Sequence, residues 1–222
     1  MAFTCAIDPA RKVNEVDILR DGSIFEGNEI YAATAANNTK DAFVTLLPLT
    51  TKTKFGLRQP HVRAPGKRVT TIDFSPFDPT LLVVGSVDGQ VTSWKLPATG
   101  LKGDLSKPLG MHDFGSEIKA VAFHPQAEGL LAVGARDGHV YIIGTELGDV
   151  ITDIPHTRPI NAVNWSSDGT LLFILHVDFN LRVVNARTGE QLTEKKICPT
   201  RGIGTLEPFS DNKMAVSFIL DN

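Results

Sequence analysis

An all-β fold of stacked four-stranded sheets, a β-propeller, is the class this sequence predicts, and three observations carry it. Short apolar runs alternate with Gly, Pro, Asp and Ser turns along most of the chain. One strand–turn pattern occurs three times in succession, and internal repetition of this length marks a stacked architecture. No long stretch has helical periodicity.

The three copies are VTTIDFSPFDPTLLVVGSVDGQVTSWKL (69–96), IKAVAFHPQAEGLLAVGARDGHVYIIGTEL (118–147) and INAVNWSSDGTLLFILHVDFNLRVVNARTG (160–189). Each opens with a β-branched residue, an aliphatic and an aromatic: Val69, Ile72, Phe74; Ile118, Val121, Phe123; Ile160, Val163, Trp165. A polar turn follows, then a leucine pair (Leu81-Leu82, Leu130-Leu131, Leu171-Leu172), then a tight turn headed by Asp88, Asp137 or Asp178 and a further apolar run. VDG and RDG are hairpin turns, because glycine tolerates the positive φ such turns need. The repeat is roughly 40 to 50 residues long, in the WD40 range. A sheet of that size cannot bury both faces alone and must stack on neighbours. The first copy carries the WD40-type tryptophan, Trp94 followed by Lys95, where the others have Ile143 and Val184. Ser86, Asp88 and Trp94 are expected to form most of a small structural network, with His112 and Asp137 its members in the second copy and Asp178 the turn residue of the third.

Outside the copies the pattern is looser. EIYAATAANN (29–38) and DAFVTLLPLT (41–50) predict two strands of a variant first blade spanning about 17–50. The stretch 51–68 is polar and basic and is expected to be a loop. After Gly189, IGTLEPF and KMAVSFIL predict a partial blade over 203–222. With WD40 units at about 68–96, 117–147 and 159–189, the expectation is four to five blades, fewer than a closed ring usually needs, with uncovered faces at the open ends.

Composition excludes several classes. The 222 residues are 42% hydrophobic and 21% charged with a net charge of −3, so no concentrated basic face for a nucleic-acid backbone is expected. No window approaches the length of a membrane-spanning helix, and residues 1–11 lack the pattern of a secretory signal. Cys5 and Cys198 stand alone, far apart, which points to reduced thiols and a cytoplasmic location. Nucleophile elbows, P-loops and metal-ligand spacings are absent. Asp88 and Asp137 lie in repeated turns without a partner carboxylate or nucleophile, and His124 reads as a turn residue before Pro125. No enzyme, cofactor or metal is expected; a binding platform is.

The order and wording of these segments resemble the coronin family, actin-binding WD40 proteins with a seven-bladed propeller. DFSPFDPTLLVVGSVDGQVTSWKLP resembles the coronin second blade, and ATGLKGDLSKPLGMHDFGSEIKAVAFHP resembles the inter-blade run that follows it. EIYAATAANNTKDAFVTLLPL is similar to the first blade, and FSPFD resembles the long tandem coronins, which carry two propellers in one chain. The short basic opening strand of coronins is replaced by AFTCAIDPARK, and the chain stops where a coronin has further blades, so it reads as a truncated or divergent member. The resemblance implies binding to F-actin and association with the cytoskeleton. It points to Arg20, in VDILRDGS, as the basic residue central to filament binding. Lys52, Lys54, Arg58, Arg63, Lys67 and Arg68 supply a basic rim that complements the acidic filament. The alternative is a WD40 scaffold holding other proteins without actin binding.

Overall fold

The computed structural model describes residues 24–35, 43–48, 60–197, 202–209 and 213–220. Among these no helix occurs, and the strands fall into four complete antiparallel four-stranded sheets and a two-stranded one. The first blade comprises β1 (Ile24–Gly27), β2 (Tyr31–Ala35), β3 (Phe43–Pro48) and β4 (His61–Arg63). The second comprises β5 (Val69–Phe74), β6 (Leu81–Ser86), β7 (Gln90–Lys95) and β8 (Gly110–Asp113). The third comprises β9 (Ile118–Phe123), β10 (Leu130–Ala135), β11 (His139–Gly144) and β12 (Val150–Pro155). The fourth comprises β13 (Ile160–Trp165), β14 (Leu171–His176), β15 (Asn180–Asn185) and β16 (Gln191–Lys196). A hairpin of β17 (Gly202–Phe209) and β18 (Lys213–Leu220) follows.

The leucine pairs start β6, β10 and β14, the second strand of each repeat. All residues of these strands after the first are buried. A strand covered on both faces by neighbouring sheets has no solvent side, so its sequence is continuously apolar instead of alternating. The outermost strands are the opposite: β12 and β16 are mostly exposed. Each blade therefore runs from an apolar interior to a polar rim.

Blades stack through their first strands. Asp73 Oδ2 accepts the N–H of Phe123 at 2.9 Å, Trp165 Nε1 donates to the Ala122 carbonyl at 2.9 Å, and Asn164 Nδ2 donates to the Leu206 carbonyl at 3.0 Å. Glycine in the second strand makes room for the neighbour. A Cβ on Gly134 would lie 2.7 Å from Val163 Cγ2 and 2.9 Å from Ile160 Cγ2, and one on Gly85 would lie 2.7 Å from Ile118 Cγ2. The fourth blade has Leu175 at this position, fully buried with Phe173, Phe179 and Leu206. His124 serves the same stacking: its Nδ1 accepts the N–H groups of Gln126 and Ala127, as expected of a turn residue, while Nε2 reaches the Gly169 carbonyl of the next blade at 3.2 Å.

The stretch 51–68, expected to be a loop, contains β4, while the expectation for 51–59 lies outside the described residues. Val62 is completely buried and pairs with Val44. The far side of β4 is closed by Leu105, which forms a parallel bridge to Val62 and exchanges backbone bonds with His61 and Arg63. Residues 97–109, between β7 and β8, thus act as a strap across the first blade. Asn28 Nδ2 donates to the Pro79 carbonyl at 2.8 Å and the Tyr31 hydroxyl to that of Pro97, tying the same two blades a second time.

Candidate interaction face

The strand registers bring the β-turns and the inter-blade crossovers to one end of each sheet. Val69 pairs with Ser86 and Gln90 with Asp113, so the turn Val87–Gly89 meets both the segment entering the blade and the segment leaving it. Two backbone bonds repeat there. The first turn residue, Val87, Arg136 or Val177, donates to the carbonyl of Arg68, Glu117 or Pro159. The third turn residue, Gly89, Gly138 or Phe179, accepts from the N–H of Phe114, His156 or Ile197. The third position has positive φ in the second, third and fourth blades: 92° at Gly89, 103° at Gly138 and 58° at Phe179. Glycine adopts that conformation freely, whereas Phe179 is held in it by its buried ring.

The described basic candidates lie on this face. Arg63 sits at the end of β4, and its Nε and Nη2 reach Asp104 Oδ2 at 3.2 and 3.1 Å while its guanidinium lies 5.3 Å from the Phe43 ring centroid. It anchors the strap. Lys67 and Arg68 are exposed and have no ion-pair partner among the described residues. Their backbone is fixed: Lys67 N donates to Asp88 Oδ2 at 3.1 Å, and a Cβ on Gly66 would lie 2.8 Å from Asp88 Oδ1. Arg20, Lys52, Lys54 and Arg58 lie outside the described residues.

The expected structural network resolves into separate pairs. Ser86 Oγ donates to Asp88 Oδ1 at 2.5 Å and accepts the N–H of Gln90 at 3.2 Å. Trp94 is completely buried, and its Nε1 donates to Thr92 Oγ1 at 2.9 Å; Thr92 was not singled out in the sequence. His112 lies on β8, the outer strand of the second blade, and its ring packs 4.4 Å from that of Phe114. Asp137 accepts the N–H of His139, and its own N–H donates to Ser116 Oγ. Asp178 accepts from the N–H and Nδ2 of Asn180 and pairs with Arg158 Nε at 3.2 Å. Burial alone would raise the Asp178 carboxyl, but these bonds and the nearby cations hold it below the usual carboxylate range.

A histidine pair between the third and fourth blades has no signal in the repeat pattern. His176 occupies the position of Ser86 and Ala135 and is completely buried. Its ring lies 5.3 Å from that of His156. Arg182 Nη1 contacts His156 Nδ1 at 2.6 Å, and the Arg158 carbonyl lies 3.2 Å from His176 Nδ1. A guanidinium only donates and a carbonyl only accepts. Neutral His156 therefore carries its proton on Nε2 and neutral His176 on Nδ1. Glu194 bridges Arg158 and Arg182, the latter at 3.0 Å. Burial, then the charge of Arg182, pushes His156 down to about 4, and burial lowers His176 as well. Both rings are neutral near pH 7. Among the described residues no three His, Cys, Asp or Glu side chains gather in a metal-binding group, and no helix is long and apolar enough to cross a membrane.

Consecutive four-stranded blades, joined by turn-to-crossover bonds and the Trp94 packing, define a WD40 β-propeller protein. A profile described as the WD domain, G-beta repeat matches residues 58–95, and one described as the anaphase-promoting complex subunit 4 WD40 domain matches residues 109–168. Coronin-7 of Homo sapiens is 31% identical over 157 residues, 69% of this chain and 17% of that protein. Coronin-7 of Pongo abelii is 30% identical over 161 residues, 71% of this chain and 17% of that protein. The coronin-like protein of Saccharomyces cerevisiae is 23% identical over 184 residues, 78% of this chain and 28% of its own length. The crystal structure of the WD40 domain from Toxoplasma gondii coronin superposes with a TM-score of 0.71 at 19% identity, covering 82% of this chain and 47% of that one. The chain belongs to the coronin family of WD40 proteins and spans about a sixth of the coronin-7 sequences it matches.

Proposed function

We propose that this chain binds actin filaments through the basic end of its turn-bearing face and takes part in organising the actin cytoskeleton, in the cytoplasm. The observation that carries this reading is the pair Lys67 and Arg68. They are adjacent and exposed, have no ion-pair partner among the described residues, and lie on a backbone pinned by Asp88. Cations without a partner on a fixed backbone give up no existing ion pair when they meet an acidic surface. Family membership supports the choice of actin as that surface. Arg63 contributes less, because its guanidinium already serves Asp104.

Co-sedimentation with actin filaments at low salt tests the reading, since screening at about 0.15 M salt limits surface attraction to roughly 8 Å. The double reversal Lys67→Glu/Arg68→Glu is expected to weaken binding about tenfold, the scale of two rim charges. Arg20→Asp is expected to weaken it more than reversal of any one loop lysine. Lys107→Glu, on the strap, is expected to change little. Failure of the unmodified chain to sediment with filaments at low salt would leave the reading without support and favour a scaffold for other proteins.

A further inference from the structure

The outer strand of each complete blade has an edge that needs protection, because unpaired N–H and C=O groups on a flat strand invite another chain to pair. Three of the four edges are protected. The edge of β4 is covered by Leu105. β8 is only four residues long. β16 carries Glu194, Lys195 and Lys196 along half its length. β12 is the longest of these edges without a lysine or arginine, although Leu109 and Met111 at β8 are exposed as well and Ile151 sits at a register shift against β11. It has six residues at the margin of its sheet, and Val150 and Ile151 are 37% and 61% exposed. No lysine or arginine stands in it, and its proline is the last residue, Pro155.

The electrostatics of this sector select the partner. Residues 117–155 hold six carboxylates against two cations, Lys119 and Arg136. Both cations pair with Glu117, at 2.7 and 2.9 Å. Asp153 meets His139 at 2.8 Å, while the exposed Glu146 and Asp149, in the turn leading into β12, have no cationic partner among the described residues. Two copies of this strand would bring carboxylates against carboxylates, so the charge disfavours pairing with itself.

We propose that β12 is a strand-addition site for an extended segment of a partner protein in which apolar residues alternate with lysine or arginine. The main chain of such a segment would pair with the free edge of Val150–Ile154. Its apolar side chains would cover Ile151, and its cations would meet Asp153 and the turn carboxylates Glu146 and Asp149. Main-chain pairing supplies affinity in this mode and alternate side chains supply specificity. The site lies on the third blade, away from Lys67 and Arg68, and does not depend on actin binding.

The test uses the whole chain and a fluorescent eight-residue peptide of alternating lysine and valine, followed by anisotropy. Peptides alternating lysine with serine and glutamate with valine serve as controls. The lysine–valine peptide is expected to bind at least tenfold more tightly than either control. Ile151→Lys, an exposed change that adds the missing edge charge, is expected to weaken it at least tenfold with an unchanged melting temperature. Hydrogen exchange is expected to slow at the amides of residues 150–154 when peptide is bound. Equal binding of the lysine–serine peptide would reduce the effect to bulk charge and overturn the proposal. So would undiminished binding by Ile151→Lys, or protection confined to another strand. Self-association of the chain that Ile151→Lys abolishes, without peptide binding, would assign the edge to a second copy and overturn it too.

Discussion

Replacing Phe179 sets two energies of different size against each other. The residue holds φ of 58° at a turn position where the second and third blades have glycine. For a residue with a Cβ, that conformation costs about 1 kcal/mol or somewhat more. Its ring is completely buried with Phe173, Leu175, Val183 and Leu206, and deleting a buried Phe side chain costs roughly 3–5 kcal/mol. Phe179→Gly relieves the first and forfeits the second, for a net loss of about 2–4 kcal/mol. Phe179→Ala forfeits the ring and keeps the strain, so it should be the less stable variant by about 1 kcal/mol. That order reverses the usual rule that alanine is better tolerated than glycine within regular structure. Urea unfolding at pH 7, with all three proteins compared at a common slope, measures both differences. An alanine variant as stable as the glycine variant would show that no strain is stored at the turn. A glycine variant as stable as the unmodified chain would show that the ring is not part of the core.

Three further outcomes follow from the same packing. Gly134→Ala places a Cβ 2.7 Å from Val163 Cγ2, and relaxing it should cost about 1–3 kcal/mol, read as a lower urea midpoint. Trp94→Phe removes the donor to Thr92 Oγ1 and should destabilise by about 1–3 kcal/mol, part of it restored when Thr92→Val is added, in a double-mutant cycle. His156 titrates near 6.5 when unfolded and about 4 when folded, so the stability from keeping it neutral is full above pH 6.5 and is lost as pH falls toward 4. That loss is on the order of 3 kcal/mol, and replacing His156 with Asn should flatten the dependence of the urea midpoint between pH 6.5 and 4.5.

What was legible in the sequence was whatever repeats. The leucine pairs, the aspartate-headed turns and Trp94 announced β6, β10 and β14 and the hairpins after them, because a strand buried on both faces has little choice of residue. β4 was hidden because its three residues, His61, Val62 and Arg63, sit in a basic stretch. Their reasons for pairing, Val44 and Leu105, lie roughly 18 and 43 residues away. The side-chain network was legible only in part, as the pair Ser86 and Asp88, for a related reason. Turn position predicts Asp88 but not which hydroxyl faces the indole two residues away on the same strand, and that proved to be Thr92. Nor does sequence show that Arg63 is engaged by Asp104 while Lys67 and Arg68 have no ion-pair partner among the described residues, since all three look alike in a basic run. His176 looked like any strand-end residue until His156 was placed beside it by the stacking of two blades.

The strap of residues 97–109 imposes an order on biosynthesis. The first blade is sealed at its margin only when Leu105 has been made, after β5, β6 and β7 have been synthesised. At the usual pace of translation, about 5–20 residues per second, the edge of β4 waits roughly 2–9 s for its cover. During that interval Val62 and its open backbone are available to any passing strand, so the first blade stays exposed to mispairing while later strands are being made. A translational pause placed before Leu105 would lengthen that window, and one placed after it would not.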